Sequence, residues 1–350
     1  MGVAGFSASA LAADKTLDEC AKIGPPADRL TCYDTLAGRA PSAPVAPVAA
    51  SPDAPAPTSL LAPKDGPSAA VQPKRETTSL MSKYWELDPQ DKRGTFNLTG
   101  YRSNYVMPVH VTSRINRAPQ SPTQVAVPSP DYRKVEAKFQ LSLRTKIAQD
   151  IGFNDADVWL GFTQQVLWQI WNGKDSKPFR NTDYEPELIY VVPTPPSLRD
   201  LPFGWQWQYS QLVLAHQSNG QSDPLSRSWN RVYIGAGFER GDWAFTAKLN
   251  QRLKEDKESD NNPDLVDYRG RGEFQLEWAP GKNTFALLYR TTLKTAKYGA
   301  FQLEWTHPVF GDQPNGVRWY VQGYRGYGET LTDYNFRQTS FGAGLSFMQF

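Results

Sequence analysis

Residues 134–147 read KVEAKFQLSLRTKI, a stretch in which apolar and polar side chains alternate almost without interruption. The odd-numbered positions carry the apolar side chains Val135, Ala137, Phe139, Leu141, Leu143 and Ile147. The even-numbered positions carry charged and amide side chains, namely Lys134, Glu136, Lys138, Gln140, Arg144 and Lys146. Successive side chains of a β-strand point to opposite faces of a sheet, so this pattern predicts a strand with one apolar and one charged face.

The same period of two recurs along the rest of the chain, for example in residues 243–252, 268–278 and 299–306. It predicts twelve strands, at roughly 97–108, 133–147, 157–171, 184–193, 202–217, 227–239, 242–253, 266–279, 283–292, 296–308, 316–328 and 333–350. Several of these approach the ~9–11 residues that a tilted strand needs to cross a bilayer, whereas a soluble strand more often has ~5–6.

An even number of long strands suits a closed barrel, which leaves no exposed sheet edge in the lipid. We therefore expect an all-β fold, a twelve-stranded antiparallel transmembrane β-barrel with a disordered N-terminal extension. Its apolar face would point outward, and the inward charges would fill a narrow lumen.

Bulk composition is compatible with this fold but does not select it. Apolar residues make up 39% of the chain, and no apolar run reaches the ~18 residues of a spanning helix. The 11 Trp and 16 Tyr suit aromatic girdles, although a soluble β-sandwich or propeller stays open on composition alone. The net charge of +2 indicates no strongly charged partner, and no nucleic-acid binding is expected.

Three segments precede the predicted barrel domain at 80–350. Residues 1–12 resemble the end of a signal peptide without its basic region, and they predict export. Residues 13–40 form a small periplasmic segment with Cys20 and Cys32, for which a local disulfide and a pair of reduced thiols are both open. Within it, residues 28–34 could form a helical turn. Residues 41–79 are rich in Pro and Ala and predict an unfolded linker.

Three residues with catalytic chemistry fall on the apolar face of two adjacent predicted strands. His216 and Ser218 share the parity of Leu212 and Leu214, and Asn230 lies on the apolar face of the next strand. Such spacing also occurs by chance, so a catalytically inert barrel, either a channel or a structural protein, is the alternative. The other two histidines make no better triad: His110 has no evident partner, and His307 is expected to be an exposed turn residue.

The residue types define the chemistry. Ser218 would be a nucleophile that needs a base to remove its proton. His216 would be that base, and then the acid that protonates the leaving alcohol. Asn230 would hold the imidazole in the required tautomer without placing a full charge at a lipid-facing surface. An amide stabilises the imidazolium less than a carboxylate would, which makes a cation near the oxyanion a candidate.

The segment HQSNGQSDPLSRSWNR at residues 216–231 closely resembles the active-site segment of the bacterial outer membrane phospholipase A family. Two further segments agree, namely SKPFRNTDYEP at 176–186 and GYGE at 326–329 with DYNF at 333–336. The resemblance covers roughly residues 80–350. It implies a twelve-stranded outer-membrane barrel that hydrolyses acyl esters of phospholipids and lysophospholipids, requires calcium and is active as a homodimer.

The resemblance also assigns roles to individual residues. It makes Ser218, His216 and Asn230 the catalytic triad and gives the backbone amide of Gly220 to the oxyanion hole. Calcium would be held by the Ser226 side chain, the Gln221 carbonyl and the carbonyl of Ser176 of the partner subunit. The family often has Arg in place of Gln221, a change that a carbonyl ligand should tolerate.

Two further assignments are less direct. Asp223 could support a calcium site in the monomer. Gln164 aligns with a polar residue at the family's dimer interface, and an ordinary lumen-facing glutamine is the alternative. The sequence as a whole therefore predicts a calcium-dependent phospholipase A1/A2 of the bacterial outer membrane. Its active site would lie at the outer leaflet, and homodimerisation would activate it.

Overall fold

The computed structural model describes residues 16–38, 79–175, 178–256, 258–313 and 315–347. The chain divides into two compact units, Met1–Pro73 and Lys74–Phe350. Three of the sequence predictions lie outside the described residues: the signal-like segment 1–12, nearly all of the linker 41–79, and the calcium ligand Ser176.

In the first unit, two short helices form a disulfide-linked hairpin. Helix α1 spans Leu17–Ala21 and helix α2 spans Pro26–Leu36, so α2 is longer than the single turn predicted from the sequence. The sulfurs of Cys20 and Cys32 are bonded to each other, which excludes the alternative of two reduced thiols. A covalent link between residues twelve positions apart restricts the unfolded chain and stabilises so small a unit.

The second unit consists mainly of β-strands. The strands are β1 Leu98–Gly100, β2 Asn104–Thr112, β3 Val135–Ala148, β4 Asp157–Trp168, β5 Phe179–Pro193, β6 Gln206–Ser218, β7 Ser228–Arg240, β8 Trp243–Arg252, β9 Gly272–Trp278, β10 Thr284–Thr291, β11 Ala300–Pro308, β12 Arg318–Tyr327 and β13 Arg337–Phe347. Helices α3 Leu80–Trp85, α4 Pro196–Arg199 and α5 Leu265–Arg269 accompany them, with 3-10 turns at Pro89–Asp91, Gly173–Asp175 and Pro202–Gly204. Among the described residues, no helix has both the length and the apolar character needed to cross a membrane.

The strands β2 to β13 form a closed antiparallel barrel. Each pairs with its sequence neighbours, and β13 pairs with β2, which closes the sheet. The short strand β1 pairs with β3 beyond the region where β3 pairs with β2. The first predicted strand, 97–108, is thus divided between β1 and β2, and the twelve-stranded barrel is confirmed with one additional short strand.

The two faces of the barrel wall are inverted relative to those of a soluble protein. On β3, Glu136, Lys138 and Arg144 point inward and are buried, whereas Val135 and Leu141 are exposed. Such inversion is required when the outside of the barrel meets lipid and the inside meets other polar groups. The outward apolar face that the sequence predicted is confirmed.

Outward-facing aromatic side chains collect near one end of the barrel wall. Trp243 on β8 stacks on Trp278 of β9 with ring centroids 5.3 Å apart, and Trp278 stacks on Phe285 of β10 at 5.6 Å. Trp305 and Trp319 continue this band on β11 and β12. The band lies at the end of the two-residue turn 241–242, and aromatic girdles of this kind mark a membrane–water interface.

The lumen is filled by ion pairs and by helix α3. Arg102 lies within 2.7 Å of Glu185 and 2.6 Å of Glu187, and Lys146 bridges Glu86 and Asp157, each at 2.8 Å. Pairing of this kind removes the cost of burying isolated charges.

On α3, Trp85 packs against Trp159 and Tyr209, with centroids 5.8 Å apart in both pairs. The lumen is packed, as the sequence predicted, so the barrel does not have the architecture of a channel.

Two predicted strands begin too early, both at the end of the barrel that carries His216. The predicted strand 266–279 begins instead as helix α5, because Leu265 and Val266 are buried in a cluster with Trp229, Leu331 and Tyr334. The predicted strand 333–350 starts only at residue 337, because residues 328–336 fold inward to supply part of this cluster. The alternation of apolar and polar residues did not predict the packing of either segment.

Candidate active site

Strands β6 and β7 bring the predicted catalytic residues to one end of the barrel. His216 and Asn230 are direct cross-strand partners, and Ser218 lies two residues further along β6, opposite Ser228. The Nδ1 atom of His216 lies 2.8 Å from Oδ1 of Asn230. The register of β6 and β7 therefore brings His216 and Asn230 within hydrogen-bonding distance. The alternation of side chains along β6 places Ser218 on the same face.

This face of the barrel is the lipid-facing one. Leu212 and Leu214, which share the parity of His216, are exposed, whereas Val213 and Ala215 are buried on the lumen side. The imidazole of His216 is itself exposed at the end of this apolar surface. A substrate dissolved in a membrane can reach these groups from the side of the barrel, without passing through the lumen.

The orientation of the Asn230 amide determines the tautomer of His216. The Nδ2 atom of Asn230 lies 3.3 Å from a carboxylate oxygen of Glu255, which as an ionised group only accepts hydrogen bonds. The amide oxygen then faces His216 and accepts a proton from Nδ1. The other ring nitrogen, Nε2, is left unprotonated and available as a base.

Asn219 organises the loop that follows Ser218. Its Nδ2 donates to the Leu225 carbonyl at 2.8 Å and to Thr332 Oγ1 at 3.0 Å. Its Oδ1 accepts from the backbone N–H groups of Arg227 at 2.9 Å and Gln221 at 3.3 Å. All four hydrogen-bonding positions of one buried amide are used, so the path of residues 219–227 is closely specified.

Arg227 closes the same loop from inside. Its Nη1 donates to the carbonyls of Pro224 at 3.0 Å and Ser226 at 2.7 Å. Burial lowers the pKa of this guanidinium, and the neighbouring Tyr334 and Asp264 partly oppose that effect. The guanidinium of Arg227 thus stabilises the backbone of the loop at Pro224 and Ser226.

Gly220, the second residue after Ser218, adopts a conformation that favours glycine. Its φ is +61°, in the left-handed region, and a Cβ atom there would lie 3.0 Å from the ring of Tyr184. Among the hydrogen bonds of the described residues, none uses the N–H of Gly220. This N–H is therefore available to a ligand next to Ser218, as an oxyanion-hole donor must be.

Oxygen atoms suited to a hard cation lie on the same loop. Ser226 Oγ accepts from Asn261 Nδ2 at 2.9 Å, and Asp223 Oδ1 accepts from Gln124 Nε2 at 3.0 Å. Among the described residues, no group of three or more His, Cys, Asp or Glu side chains is arranged so that it could hold a metal ion. A site built from a hydroxyl, a carboxylate and the Gln221 carbonyl fits calcium, which binds oxygen ligands including carbonyls, and does not suit zinc.

Neighbouring loops anchor this donor set. Ser121 Oγ donates to the Asn261 carbonyl at 2.7 Å, and Thr123 Oγ1 donates to the Asp260 carbonyl at 2.8 Å. Since the side chain of Asn261 also contacts Ser226, residues 121–123 and 260–261 together support the candidate cation site. The rim loops at this end therefore act as one hydrogen-bonded group.

Gln164 points outward rather than into the lumen. On β4 it shares the parity of the exposed Leu160 and Phe162, and its cross-strand partners are Leu141 and Tyr184. The lumen-facing alternative raised from the sequence is therefore excluded. An amide side chain on a lipid-facing wall needs a polar partner, which a second copy of the chain could supply.

The surroundings of the two remaining histidines differ from those predicted. His110 has a partner after all: it is buried on β2, with Nε2 2.9 Å from Glu329 and Nδ1 3.5 Å from Glu136. His307 lies on β11 and is half-buried, with Nδ1 3.1 Å from Asn283 Oδ1. The positions two residues from them hold Pro108, Thr112, Trp305 and Val309 rather than serine, so His216 remains the predicted catalytic histidine.

Residues 81–347 match the family model described as Phospholipase A1. The chain belongs to the phospholipase A1 family. A relative from Neisseria meningitidis serogroup B is 37% identical over 298 residues, which cover 82% of this chain and 76% of the relative.

Two solved structures of the family are also similar. The outer membrane phospholipase dimer of Salmonella typhi with bound calcium has a TM-score of 0.63 and 32% identity, over 76% of this chain and 96% of that one. An active-site mutant of Escherichia coli outer membrane phospholipase A, in which an asparagine is replaced by alanine, has a TM-score of 0.65 and 32% identity. It covers the same shares, 76% of this chain and 96% of that one.

Membership of the phospholipase A1 family identifies the chain as a phospholipase whose barrel belongs in the outer membrane. The transmembrane fold and the phospholipase class expected from the sequence are confirmed. The inert-barrel and soluble β-rich alternatives are not supported. Sequence reasoning missed Asn219, Thr332 and Glu255, although Asn219 stands inside the quoted motif next to Ser218.

Proposed function

We propose that this phospholipase hydrolyses acyl esters of phospholipids and lysophospholipids with Ser218, His216 and Asn230 as its catalytic triad. The observation that carries the proposal is the 2.8 Å contact between His216 and Asn230 on the lipid-facing wall. Ser218 lies on the same face two residues away. The E. coli relative whose active-site asparagine was replaced by alanine supports an asparagine in this role.

The reaction follows from the residue types. Ser218 Oγ attacks the ester carbonyl carbon while His216 Nε2 takes its proton. The tetrahedral intermediate carries a negative oxygen that the Gly220 N–H can stabilise. Protonated His216 then delivers its proton to the departing alcohol, which leaves the acyl group on Ser218. A water molecule, deprotonated by His216, hydrolyses this acyl ester and restores the serine.

Calcium is the proposed cofactor. Gln221 and Ser226 would hold it, together with Ser176 of the partner subunit, and Asp223 would support a calcium site in the monomer. When bound, a divalent cation would add positive charge where the oxyanion develops, which compensates for a triad that has an amide in place of a carboxylate. Calcium bound to the Salmonella typhi relative supports this assignment.

Homodimerisation is the proposed control of activity. The S. typhi relative is a dimer, and Gln164 stands on the outer wall of this chain where a second copy could meet it. Ser176 of the partner subunit would complete the calcium site, so a monomer would be nearly silent. Such control prevents an enzyme embedded in its own substrate from degrading the membrane.

The active site is proposed to face the outer leaflet. Residues 113–134 and 253–271 connect strands at the catalytic end, whereas the opposite end includes the two-residue turn 241–242. Outer-membrane barrels combine short periplasmic turns with longer extracellular loops. The long loops therefore favour an outward-facing catalytic end.

The test is ester hydrolysis in phospholipid–detergent micelles, with calcium or with EDTA. Wild type is compared with Ser218→Ala and with Ser210→Ala, which removes a hydroxyl from the same strand and the same face. We expect calcium-dependent activity that Ser218→Ala lowers at least about a thousandfold and Ser210→Ala leaves intact. Equal activity in wild type and Ser218→Ala would identify the wrong nucleophile.

Dimer control needs a separate measurement. Covalently cross-linked dimers and dilute monomers are assayed at the same calcium concentration, with dimer content measured by analytical ultracentrifugation. We expect the cross-linked dimers to be at least about tenfold faster per active site, because monomers lack the second subunit's ligand. Equal rates would refute activation by dimerisation while leaving the triad intact.

A further inference from the structure

A carboxylate lies directly behind the His216–Asn230 pair. Strand β8 ends at Arg252, and Leu253 continues the pairing by donating its N–H to the Asn230 carbonyl at 2.8 Å. Glu255 then turns its side chain back to Asn230. Its Oε1 lies 3.3 Å from both the backbone nitrogen and the side-chain Nδ2 of Asn230.

The position of Glu255 is itself fixed. Its Oε2 lies 3.5 Å from Arg252 Nη2. Arg252 in turn contacts Asp260 Oδ1 and the Asn262 carbonyl, both at 2.7 Å. The Glu255 side chain is 16% exposed and belongs to a loop beyond the end of the strand, outside the lipid-facing wall.

We propose that Glu255 is a positioning residue for ester hydrolysis and acts on His216 through Asn230. The inference rests on the proposed triad and extends it to a row of three side chains, His216, Asn230 and Glu255. Glu255 does not contact the reacting atoms in this scheme. It determines what Asn230 presents to the imidazole.

Glu255 has two effects on the pair. A carboxylate accepts hydrogen bonds only, so it selects the amide rotamer whose nitrogen faces Glu255 and whose oxygen faces His216. This rotamer holds the proton on Nδ1 of His216. The negative charge also polarises the amide and stabilises the imidazolium that forms when Ser218 loses its proton.

The arrangement explains how an amide serves as the third member of a triad on a lipid-facing surface. A carboxylate at position 230 would place a full charge next to the bilayer, where an unsolvated charge is costly. Placing the carboxylate on Glu255, behind Asn230, keeps the charge in a partly hydrated loop beside Arg252. The imidazole then receives part of the benefit of a carboxylate through the neutral amide.

The test compares Glu255→Gln, which removes the charge and keeps a hydrogen-bonding amide, with Glu255→Ala, which removes both. Glu258→Gln is the matched control, because Glu258 is an exposed carboxylate of the same loop and is not among the Asn230 partners. We measure kcat, KM, the half-saturating calcium concentration and thermal unfolding in detergent for each dimer.

The expected order of kcat is wild type, then Glu255→Gln, then Glu255→Ala. The alanine variant should lose at least about tenfold, the equivalent of one charge-assisted hydrogen bond. KM and the calcium requirement should stay within about twofold, because Glu255 contacts neither substrate nor the proposed calcium ligands. A general loss of loop structure would instead change all three quantities together.

Exchange of the two side-chain types provides a second test. Asn230→Asp alone places two carboxylates against each other, and their repulsion should lower kcat. Asn230→Asp combined with Glu255→Gln restores one carboxylate and one amide in reversed order. The double variant should be at least about threefold faster than Asn230→Asp, which no independent loss at the two positions would produce.

A third arm places Glu255→Ala in the Asn230→Ala background, where it should have little further effect. The proposal is overturned if Glu255→Ala matches wild type, if it lowers kcat equally with and without Asn230, or if the exchange variant gains nothing. Wild-type activity of Ser218→Ala or Asn230→Ala would instead overturn the triad, and the role of Glu255 with it. The failure of each proposal therefore has its own signature.

Discussion

Tyr184 and Ser218 are direct cross-strand partners on β5 and β6, and the Tyr184 ring covers Gly220, the second residue after Ser218. On its other side Tyr184 pairs with Gln164 of β4. The row Gln164, Tyr184 and Ser218 therefore crosses three neighbouring strands on the outer wall. The proposed nucleophile and the proposed dimer contact share one surface, so a second copy bound there would border the substrate's path.

The first prediction concerns Gly220→Ala. The added methyl group would lie 3.0 Å from Tyr184 Cε2, at a φ of +61°. We expect kcat to fall about 10- to 100-fold, because the N–H at position 220 would be displaced from the developing oxyanion. Backbone strain should cost about 1 kcal/mol of stability. Micelle assays and thermal unfolding measure the two effects.

Gly281→Ala is the matched control for this variant. Gly281 has a similar φ of +62°, and a Cβ atom there would meet nothing within 4 Å. It lies between β9 and β10, at the end of the barrel opposite Ser218. Gly281→Ala should show a comparable stability loss and unchanged kcat. An equal loss of activity in both variants would mean that strain alone, rather than the position of the N–H, explains the result.

The second prediction concerns the contact between the loop 219–227 and residues 328–336. Thr332 Oγ1 donates to Asn181 Oδ1 at 2.6 Å and accepts from Asn219 Nδ2 at 3.0 Å. Thr332→Val should lower kcat by about tenfold while the barrel stays folded, because the loop loses one partly buried hydrogen-bond partner. Thr339→Val, at an exposed position on β13, is the control. Unchanged kcat would show that Asn219 holds the loop without this contact.

The barrel wall and the pairing of His216 with Asn230 could be predicted from the sequence, for a physical reason. Inside-outside alternation is a local property, so Leu212, Leu214 and His216 reveal their common face without knowledge of any other strand. Once β6 and β7 are neighbours, the register brings His216 opposite Asn230. The sequence motif then named the roles, and the structure supplied the contact between the two side chains.

Other parts of the site depend on the path of loops, which alternation does not encode. Glu255 reaches Asn230 only because the chain beyond β8 stays beside β7, through the hydrogen bond from Leu253 to Asn230, before the Glu255 side chain turns back. His110 finds Glu329, which is 219 positions away, because residues 328–336 fold into the lumen. The local pattern of α5 predicted a strand. Burial against Trp229 and Tyr334 overrides this pattern, and the segment forms a helix instead. These features follow from tertiary packing.

The third prediction concerns the proposed calcium donors. Ser226→Ala removes a proposed hydroxyl ligand, whereas Ser222→Ala removes an exposed hydroxyl from the same loop. Isothermal titration of the detergent-solubilised dimer with CaCl2 should show about tenfold weaker binding for Ser226→Ala, as expected for loss of one ligand worth about 1.4 kcal/mol. Ser222→Ala should bind as wild type does. Equal affinities in the two variants would remove Ser226 from the proposed site.

The fourth prediction concerns Glu329 and pH. Burial opposes ionisation of this carboxyl, but Lys138 at 3.0 Å and His110 at 2.9 Å outweigh burial and hold its pKa well below the usual value. A lowered pKa in the folded state contributes stability above the unfolded pKa of about 4.3, and this stability is lost as the pH falls further.

Glu329→Gln should therefore destabilise the barrel at pH 7 by about 3 kcal/mol, since it leaves Lys138 buried without its counter-charge. The difference in unfolding free energy between wild type and variant should shrink as the pH falls below about 4.3. Urea unfolding in detergent between pH 3 and pH 8 measures this trend, with Glu258→Gln as the exposed control. A difference that stays constant with pH would show that the loss comes from packing and not from charge.

The fifth prediction concerns Gln164 as a dimer contact. Its amide lies on the outer wall among apolar neighbours, where a partner amide would be its natural hydrogen-bonding group. Gln164→Ala should weaken dimerisation in calcium by about 1 kcal/mol, roughly fivefold in the dimer dissociation constant, as for other hydrogen bonds between membrane segments. Sedimentation equilibrium in detergent measures this constant, and Leu303→Ala, which alters an exposed outward side chain of β11, is the control. If Gln164→Ala dimerises as wild type does, the interface lies elsewhere on the wall. If both variants weaken dimerisation equally, general loss of outer-surface packing is responsible rather than the amide.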